Sequence, residues 1–256
     1  EIMSSDWSSD VCSSDLDEGH TLGPLLWKVR RVFGALGRDF HLIVFDDASS
    51  DDTTEVLARY EGALPLTAIR SESRVGYGAA VDRLLRKSLE ISDYPKRDAA
   101  VVVQADFTDD LDALEELVKT LEGGADIVAG TVRELIPDVT PKGVIWARRL
   151  APWVLGSAFH SAPADPLCGF RAYRLIVLKK ALRDTDAPFC SAEEPWVANL
   201  ELLHRLAPEA RRVEQSEVRP RYDRLARDTR FSAPRVLKAL FGFRHRRWPD
   251  DPGRAA

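Results

Sequence analysis

The chain has 256 residues, 45% hydrophobic and 30% charged, enough for one full-sized domain around a single large core. No stretch approaches the ~18–20 consecutive apolar residues of a membrane span, and Cys12, Cys168 and Cys190 are too few and scattered for a disulfide framework or a structural zinc site, which points to a reducing compartment. The formal charge of −5 becomes −1 once the four acids of residues 1–16 are set aside, so overall acidity says nothing about partners.

In chain order, "EIMSSDWSSDVCSSDL" repeats Ser-Ser-Asp three times without helix or strand period. Residues 1–16 are therefore expected to be a non-native, adapter-like or disordered tail outside the fold. Leu22, Leu25, Leu26, Val29, Val32, Phe33 and Leu36 then recur at helical spacing, and "HLIVFDD" is an apolar run that stops at two acids, a buried strand. "SSDDTTEVLARY" supplies capping residues for a second helix, with Asp52 and Glu55 at capping-box spacing. "LPLTAIR" reads as a strand, and a third helix begins at the glycines of "RVGYGAAV".

"AAVVVQAD" is apolar on both faces, Leu111 to Leu121 follow at helical spacing, and "ADIVAGT" is another buried strand. Continuous apolar strands alternating with amphipathic helices predict an α/β fold, a mostly parallel sheet with helices on both faces. Ligands of such sheets bind beyond the carboxyl ends of the strands, where Asp46, Asp47, Asp106 and Thr131 stand. After about residue 135 the pattern loosens, with a helix near 174–183 and a late strand within "RRVEQSEVRPRY". The domain is expected to span residues 17–231, with an amphipathic basic helix and tail at 232–256. The stretch from Arg205 to Arg247 holds 13 Lys or Arg against 5 Asp or Glu, which suits an anionic partner or a solvated face.

A carboxylate at a strand end facing a diphosphate needs a cation between them, because the two anions repel by several kcal/mol in a low-dielectric cleft. Asp106 has the chemistry of such a ligand for Mg2+ or Mn2+, with Gln104 or Thr108 beside it. Capping of the following helix alone would account for Thr108 and Asp109, although Asp106 stands slightly early for that role.

"VFDDASSDDTTEVL", "RVGYGAAV", "VVVQADFTDD", "GADIVAGTVR" and "DPLCGFRAYR", in this order, resemble the family 2 glycosyltransferases of GT-A fold, nearest the dolichol-phosphate mannose synthase-like branch, over roughly residues 17–235. The resemblance implies a single GT-A domain. It implies that Glu18, Asp46, Asp47, Ser49, Arg74, Gly76, Gly78 and Gln104 line the nucleotide-sugar, with Gly76 and Gly78 letting backbone approach the ligand. Asp106 matches the last acid of the Asp-x-Asp metal motif, and Gln104 stands where the first carboxylate usually is. Arg133, Arg148, Arg149 and Arg230 match phosphate-facing arginines, and Arg171 is a weaker match that a buried structural role explains as well. The first strand of the family, ending in Pro and an Asn-Glu pair, is replaced by the adapter-like stretch, which leaves a catalytically impaired sugar-nucleotide binder as an alternative.

The resemblance further implies inverting transfer from a GDP- or UDP-linked sugar to a polyprenyl or dolichyl phosphate, with Asp106 and Arg133 catalytic. Such an enzyme would work at the cytoplasmic face of the inner membrane without crossing it, binding no nucleic acid. Val236, Leu237, Leu240 and Phe241 would then rest on lipid, unless that helix packs on the domain. A hydroxyl acceptor would instead require a base, for which Glu193 and Glu194 are available. Paired acids at strand ends also occur in phosphoacceptor receiver domains, but those need a lysine at the next strand end and about half this length. A nicotinamide enzyme is disfavoured, since no Gly-x-Gly-x-x-Gly follows the first strand.

Overall fold

The computed structural model describes residues 8–15, 19–156, 162, 164–183, 185–224 and 231–244. Seven strands, β1 (Ser8–Asp15), β2 (Asp39–Asp46), β3 (Leu66–Arg70), β4 (Ala99–Gln104), β5 (Ile127–Thr131), β6 (Arg171–Arg174) and β7 (Val213–Glu217), form one sheet in the order β3-β2-β1-β4-β6-β5-β7. All pairings are parallel except those of β6, which runs antiparallel to both β4 and β5.

Helices α1 (Gly19–Leu36), α2 (Thr53–Glu61) and α4 (Leu114–Glu122) cover one face, where Leu22, Leu26, Phe33 and Leu117 meet Val11, Val44 and Val101. Helices α3 (Tyr77–Ile91), α6 (Leu175–Ala181) and α7 (Pro195–Leu206) cover the other, packing Val81, Leu84, Leu178 and Leu202 on Cys12, Ile43 and Val102. A smaller third cluster joins α5 (Lys142–Leu155), α7 and α8 (Ala233–Arg244). Two buried faces explain why β2 and β4 read as unbroken apolar runs.

The expectation that residues 1–16 lie outside the fold is corrected for residues 8–15. Ser8–Asp15 is a central strand, paired in parallel with β2 on one side and β4 on the other. Its ladder is made by backbone groups, which any small side chain permits, and Val11 and Cys12 are buried on opposite faces. The cost shows in its polar residues: Ser9, Asp10 and Ser13 are buried as well, and the Ser13 hydroxyl finds no hydrogen-bond partner among the described residues.

The terminal helix also differs from the lipid-facing reading. Val236 and Leu240, with Phe243, are buried against Ala151, Val154 and Leu155 of α5, so the apolar stripe of α8 packs on the domain. Of the four residues assigned to lipid, Phe241 alone is strongly exposed. No described helix is long and apolar enough to cross a membrane.

Candidate functional site

The carboxyl ends of β2 and β4 are built alike. Each strand runs into an acid followed by a non-glycine residue with positive φ: Ala48 at 59° after Asp47, and Phe107 at 62° after Asp106. Left-handed backbone at a non-glycine residue costs about 1–3 kcal/mol and concentrates where a turn must aim a side chain.

At the β2 end, Asp46 Oδ1 accepts the Ser49 N–H at 2.8 Å, Oδ2 accepts the Thr54 hydroxyl at 3.1 Å, and Arg70 Nε lies 3.5 Å away. Asp47 accepts the backbone N–H groups of Val75 at 2.7 Å and Gly76 at 3.1 Å, which fastens the exposed Arg74 loop to the strand end. Asp51 accepts the Gly19 N–H at 3.1 Å, tying the start of α1 to the same turn. Asp46, Asp47 and Ser49 are buried. Gly76 has φ 86° at the start of α3. A Cβ on Gly78 would stand 2.5 Å from the Ala192 carbonyl oxygen, so the protein's own backbone, rather than a ligand, demands that glycine.

At the β4 end, Asp106 Oδ1 accepts the Thr108 N–H at 2.9 Å and its hydroxyl at 2.5 Å, and that hydroxyl lies 3.1 Å from Gln104 Oε1. Asp106 Oδ2 accepts no hydrogen bond from the described residues, and Asp106 is half-buried. The segment after β7 closes over this turn, with the Arg221 N–H donating to the Thr108 carbonyl at 2.8 Å. Next to it, burial pushes the Tyr222 hydroxyl up to about 12, opposed by the Arg148 charge and reinforced by Asp106 and Asp109.

The capping role expected of Thr108 and Asp109 belongs to Asp110, whose side chain accepts the Asp112 N–H at 3.2 Å at the start of a short 3-10 turn, Leu111–Ala113. Asp109 instead folds back to accept the Gln104 N–H at 2.7 Å. Burial pushes its carboxyl up to about 7 despite that bond, and Asp106 and Asp110 add to the rise. Asp110→Ala is therefore expected to cost about 1 kcal/mol in urea unfolding, the ordinary value of a lost cap.

The predicted arginines stand in different surroundings. Arg133 stands two residues beyond β5, 74% exposed and 3.7 Å from Glu217. Arg148 turns inward on α5 to pair with Asp165 and lies over the Trp196 ring. Asp165 also accepts the Val132 N–H at 3.2 Å, just past β5. Arg149, the next residue of α5, is exposed to solvent. Arg171 is fully buried and donates to the carbonyls of Asn199 at 2.8 Å and Asp165 at 2.9 Å, which is the structural role. Glu18 and Arg230 lie outside the described residues.

Sequence reasoning read Asp109 only as a cap and missed Tyr222, whose type and spacing carry no distinguishing signal. It offered Glu193 and Glu194 only as available acids. Glu193 packs on Gly76, and Glu194, at the start of α7, has its pKa raised by burial against the opposing charge of Arg235. Among the described residues no three His, Cys, Asp or Glu gather as a metal cage. Asp106 still fits a hard divalent cation held by one carboxylate, because substrate phosphates and water complete such a shell.

Residues 16–173 match the family model described as Glycosyl transferase family 2. The chain is 26% identical over 168 residues to an undecaprenyl-phosphate 4-deoxy-4-formamido-L-arabinose transferase of Pseudomonas savastanoi pv. phaseolicola, covering 65% of this chain and 47% of that protein. It thus spans about half the length of that relative. It is 29% identical over 191 residues to an uncharacterized glycosyltransferase of Mycobacterium bovis, covering 73% of this chain and 76% of the other. Among solved structures, glucosyl-3-phosphoglycerate synthase from Mycobacterium tuberculosis in complex with Mn2+, UDP-glucose and phosphoglyceric acid superimposes with a TM-score of 0.60 at 20% identity, covering 93% of this chain and 79% of that one. That likeness establishes the GT-A architecture of the sheet.

Proposed function

The chain belongs to glycosyl transferase family 2, and from that premise we propose that it moves a hexose from a UDP- or GDP-linked donor to a polyprenyl phosphate, with inversion at the anomeric carbon. The observation that carries this reading is Asp106 beyond β4, half-buried with one carboxylate oxygen accepting no hydrogen bond from the described residues, while Arg133 stands exposed beyond β5. The kinship with undecaprenyl-phosphate sugar transferases supports the acceptor class.

In this reaction an ionised oxygen of the acceptor phosphate bonds to the anomeric carbon from the face opposite the leaving group. The bond from that carbon to the donor diphosphate breaks, and its electron pair stays on the departing phosphate oxygen. No proton has to move, because the acceptor oxygen is already ionised near neutral pH. Asp106 would hold Mg2+ or Mn2+, which when bound neutralises diphosphate charge. Arg133 would balance the acceptor phosphate through its planar donors. Asp46, Asp47, Ser49, Arg74, Gly76 and Gln104 would form the donor wall, with Gly78 setting the backbone behind it and Asp47 positioning the 74–76 loop through its two backbone hydrogen bonds. The reaction is placed at the cytoplasmic face of a membrane, with the protein peripheral to it.

Glu194 favours a second reading, a soluble hydroxyl acceptor, since a carboxyl raised by burial suits a general base and its neighbour Glu193 packs on Gly76. Radiolabelled UDP- and GDP-sugars, Mn2+ and undecaprenyl phosphate distinguish the two. Label entering the organic phase is the expected result. Label passing to a phosphorylated soluble alcohol such as 3-phosphoglycerate, with none in the lipid, would replace the first reading with the second.

A further inference from the structure

The inner face of α5 is buried, but its outer face repeats tryptophan and cation. Lys142, Trp146, Arg149 and Trp153 fall at steps of four, three and four residues, one stripe along a helix. Trp146 is 61% exposed and Trp153 80%, and Leu150 beside them is also exposed. Helix α8 packs on the inner side of α5 and leaves this outer stripe uncovered. The two helices, KGVIWARRLAPWVL and APRVLKALFGFR, contain no Asp or Glu, in a chain whose 41 acids outnumber its 36 Lys and Arg. An outer surface that mixes large aromatics with charge of one sign has no structural use within the domain.

The geometry points to the outer face of α5 as the surface that seats on an anionic lipid bilayer, with Trp146 and Trp153 at the headgroup level and Lys142 and Arg149 against lipid phosphates. Tryptophan favours that level because its ring is apolar and its N–H needs a polar partner. Basic residues near an anionic leaflet add attraction that salt screens. A second copy of the chain is a poorer occupant. Two-fold pairing sets a face against itself, so the cations of one copy would meet those of the other, and lysine is depleted from protein interfaces. The face also has a suitable position. Arg148, on the inner side of the same helix, pairs with Asp165, which accepts the Val132 N–H beyond β5. Seating α5 on lipid therefore holds the carboxyl end of β5 one helix diameter, ~10 Å, from the bilayer.

The surface is distinct from the sugar-transfer site, and its test needs neither donor nor acceptor. The full chain is floated with vesicles of phosphatidylcholine alone, or of equal parts phosphatidylcholine and phosphatidylglycerol, at low and high salt. Binding to the anionic vesicles, weakened by salt, is expected. Trp146→Ala/Trp153→Ala should lower that affinity tenfold or more while keeping the circular dichroism and melting midpoint of the parent. Lys142→Glu should lower it several-fold by charge alone. No flotation of the parent, or undiminished flotation of the tryptophan variant, would overturn the inference, as would a dimer in size-exclusion chromatography that the tryptophan variant abolishes. A chain that binds these vesicles but glycosylates no lipid phosphate would overturn the acceptor reading and leave this surface standing.

Discussion

Replacing Asp106 with alanine is expected to remove the Mn2+-dependent part of nucleotide-sugar binding and to lower transfer by about a hundredfold or more, the ~3 kcal/mol that one electrostatic contact at a reacting diphosphate supplies. The fold should tolerate the change. Among the described residues Asp106 contributes two hydrogen bonds from Thr108, worth about 1–2 kcal/mol each in a half-buried turn. Asp106→Asn sharpens the comparison, since the amide oxygen can keep the Thr108 bonds while the negative charge is lost. Both variants should then fail alike with Mn2+ if charge is what matters. Gln104→Asp tests the neighbouring position in the opposite direction. It sets a third carboxylate beside Asp106 and Asp109, which should lower stability in chelator and tighten Mn2+ when the ion is supplied. Titration calorimetry with UDP- and GDP-sugars, with Mn2+ or with chelator, reads all three. Equal donor affinity and equal Mn2+ response in parent and Asp106→Ala would end the ligand role of Asp106.

Much of this architecture was legible in the sequence because burial on both faces leaves a simple mark. The runs "HLIVFDD" and "AAVVVQAD" were found as β2 and β4, and their carboxyl-end acids lie on one edge of the sheet. What escaped had its pattern overwritten by polar residues that fold context makes tolerable. Strand β6 is Arg-Ala-Tyr-Arg, which reads as surface, yet Arg174 is buried and donates to the Leu121, Ala125 and Lys96 carbonyls while pairing with Asp126. Those donations tie β6 to the end of α4 and to the turns that lead into β4 and β5. Strand β1 escaped for a related reason: Ser and Asp have low strand propensity, and only its place between β2 and β4 makes it a strand. In the site, sequence could place Asp47 and Asp106 at strand ends but not say what their oxygens touch. One proves committed to the backbone of residues 75 and 76, the other partly open. Helix α5 shows the same limit, because "WARRLAPW" does not reveal which arginine turns inward to Asp165.

The buried acid of β1 gives the second large expectation, a loss of stability as pH rises across the neutral range. Burial pushes Asp10 from 3.8 up to about 7, the nearby Asp98 charge adds to the rise, and a hydrogen bond from Ser88 opposes it. Between about pH 4 and pH 7 the folded chain keeps a proton that the unfolded chain has released, so stability falls with rising pH, at up to ~1.4 kcal/mol per unit for a single group. Asp109, also raised to about 7, adds to the same window. Asp126 works in the other direction and at lower pH. Although burial alone would raise it, its bonds to Arg211 and the charge of Arg174 hold it below 3.8, so its contribution is lost as the solution becomes more acid than that. The two effects therefore separate along the pH axis. Asp10→Val removes the raised acid and places a branched side chain on a central strand, where its ladder partners are His41 and Ala100 and the latter leaves room. Urea midpoints should show this variant well above the parent at pH 8, by as much as ~4 kcal/mol, with the gap shrinking towards pH 4. A parent midpoint that is flat from pH 4 to 8, or a variant that runs parallel to it throughout, would mean that Asp10 is not held in the core.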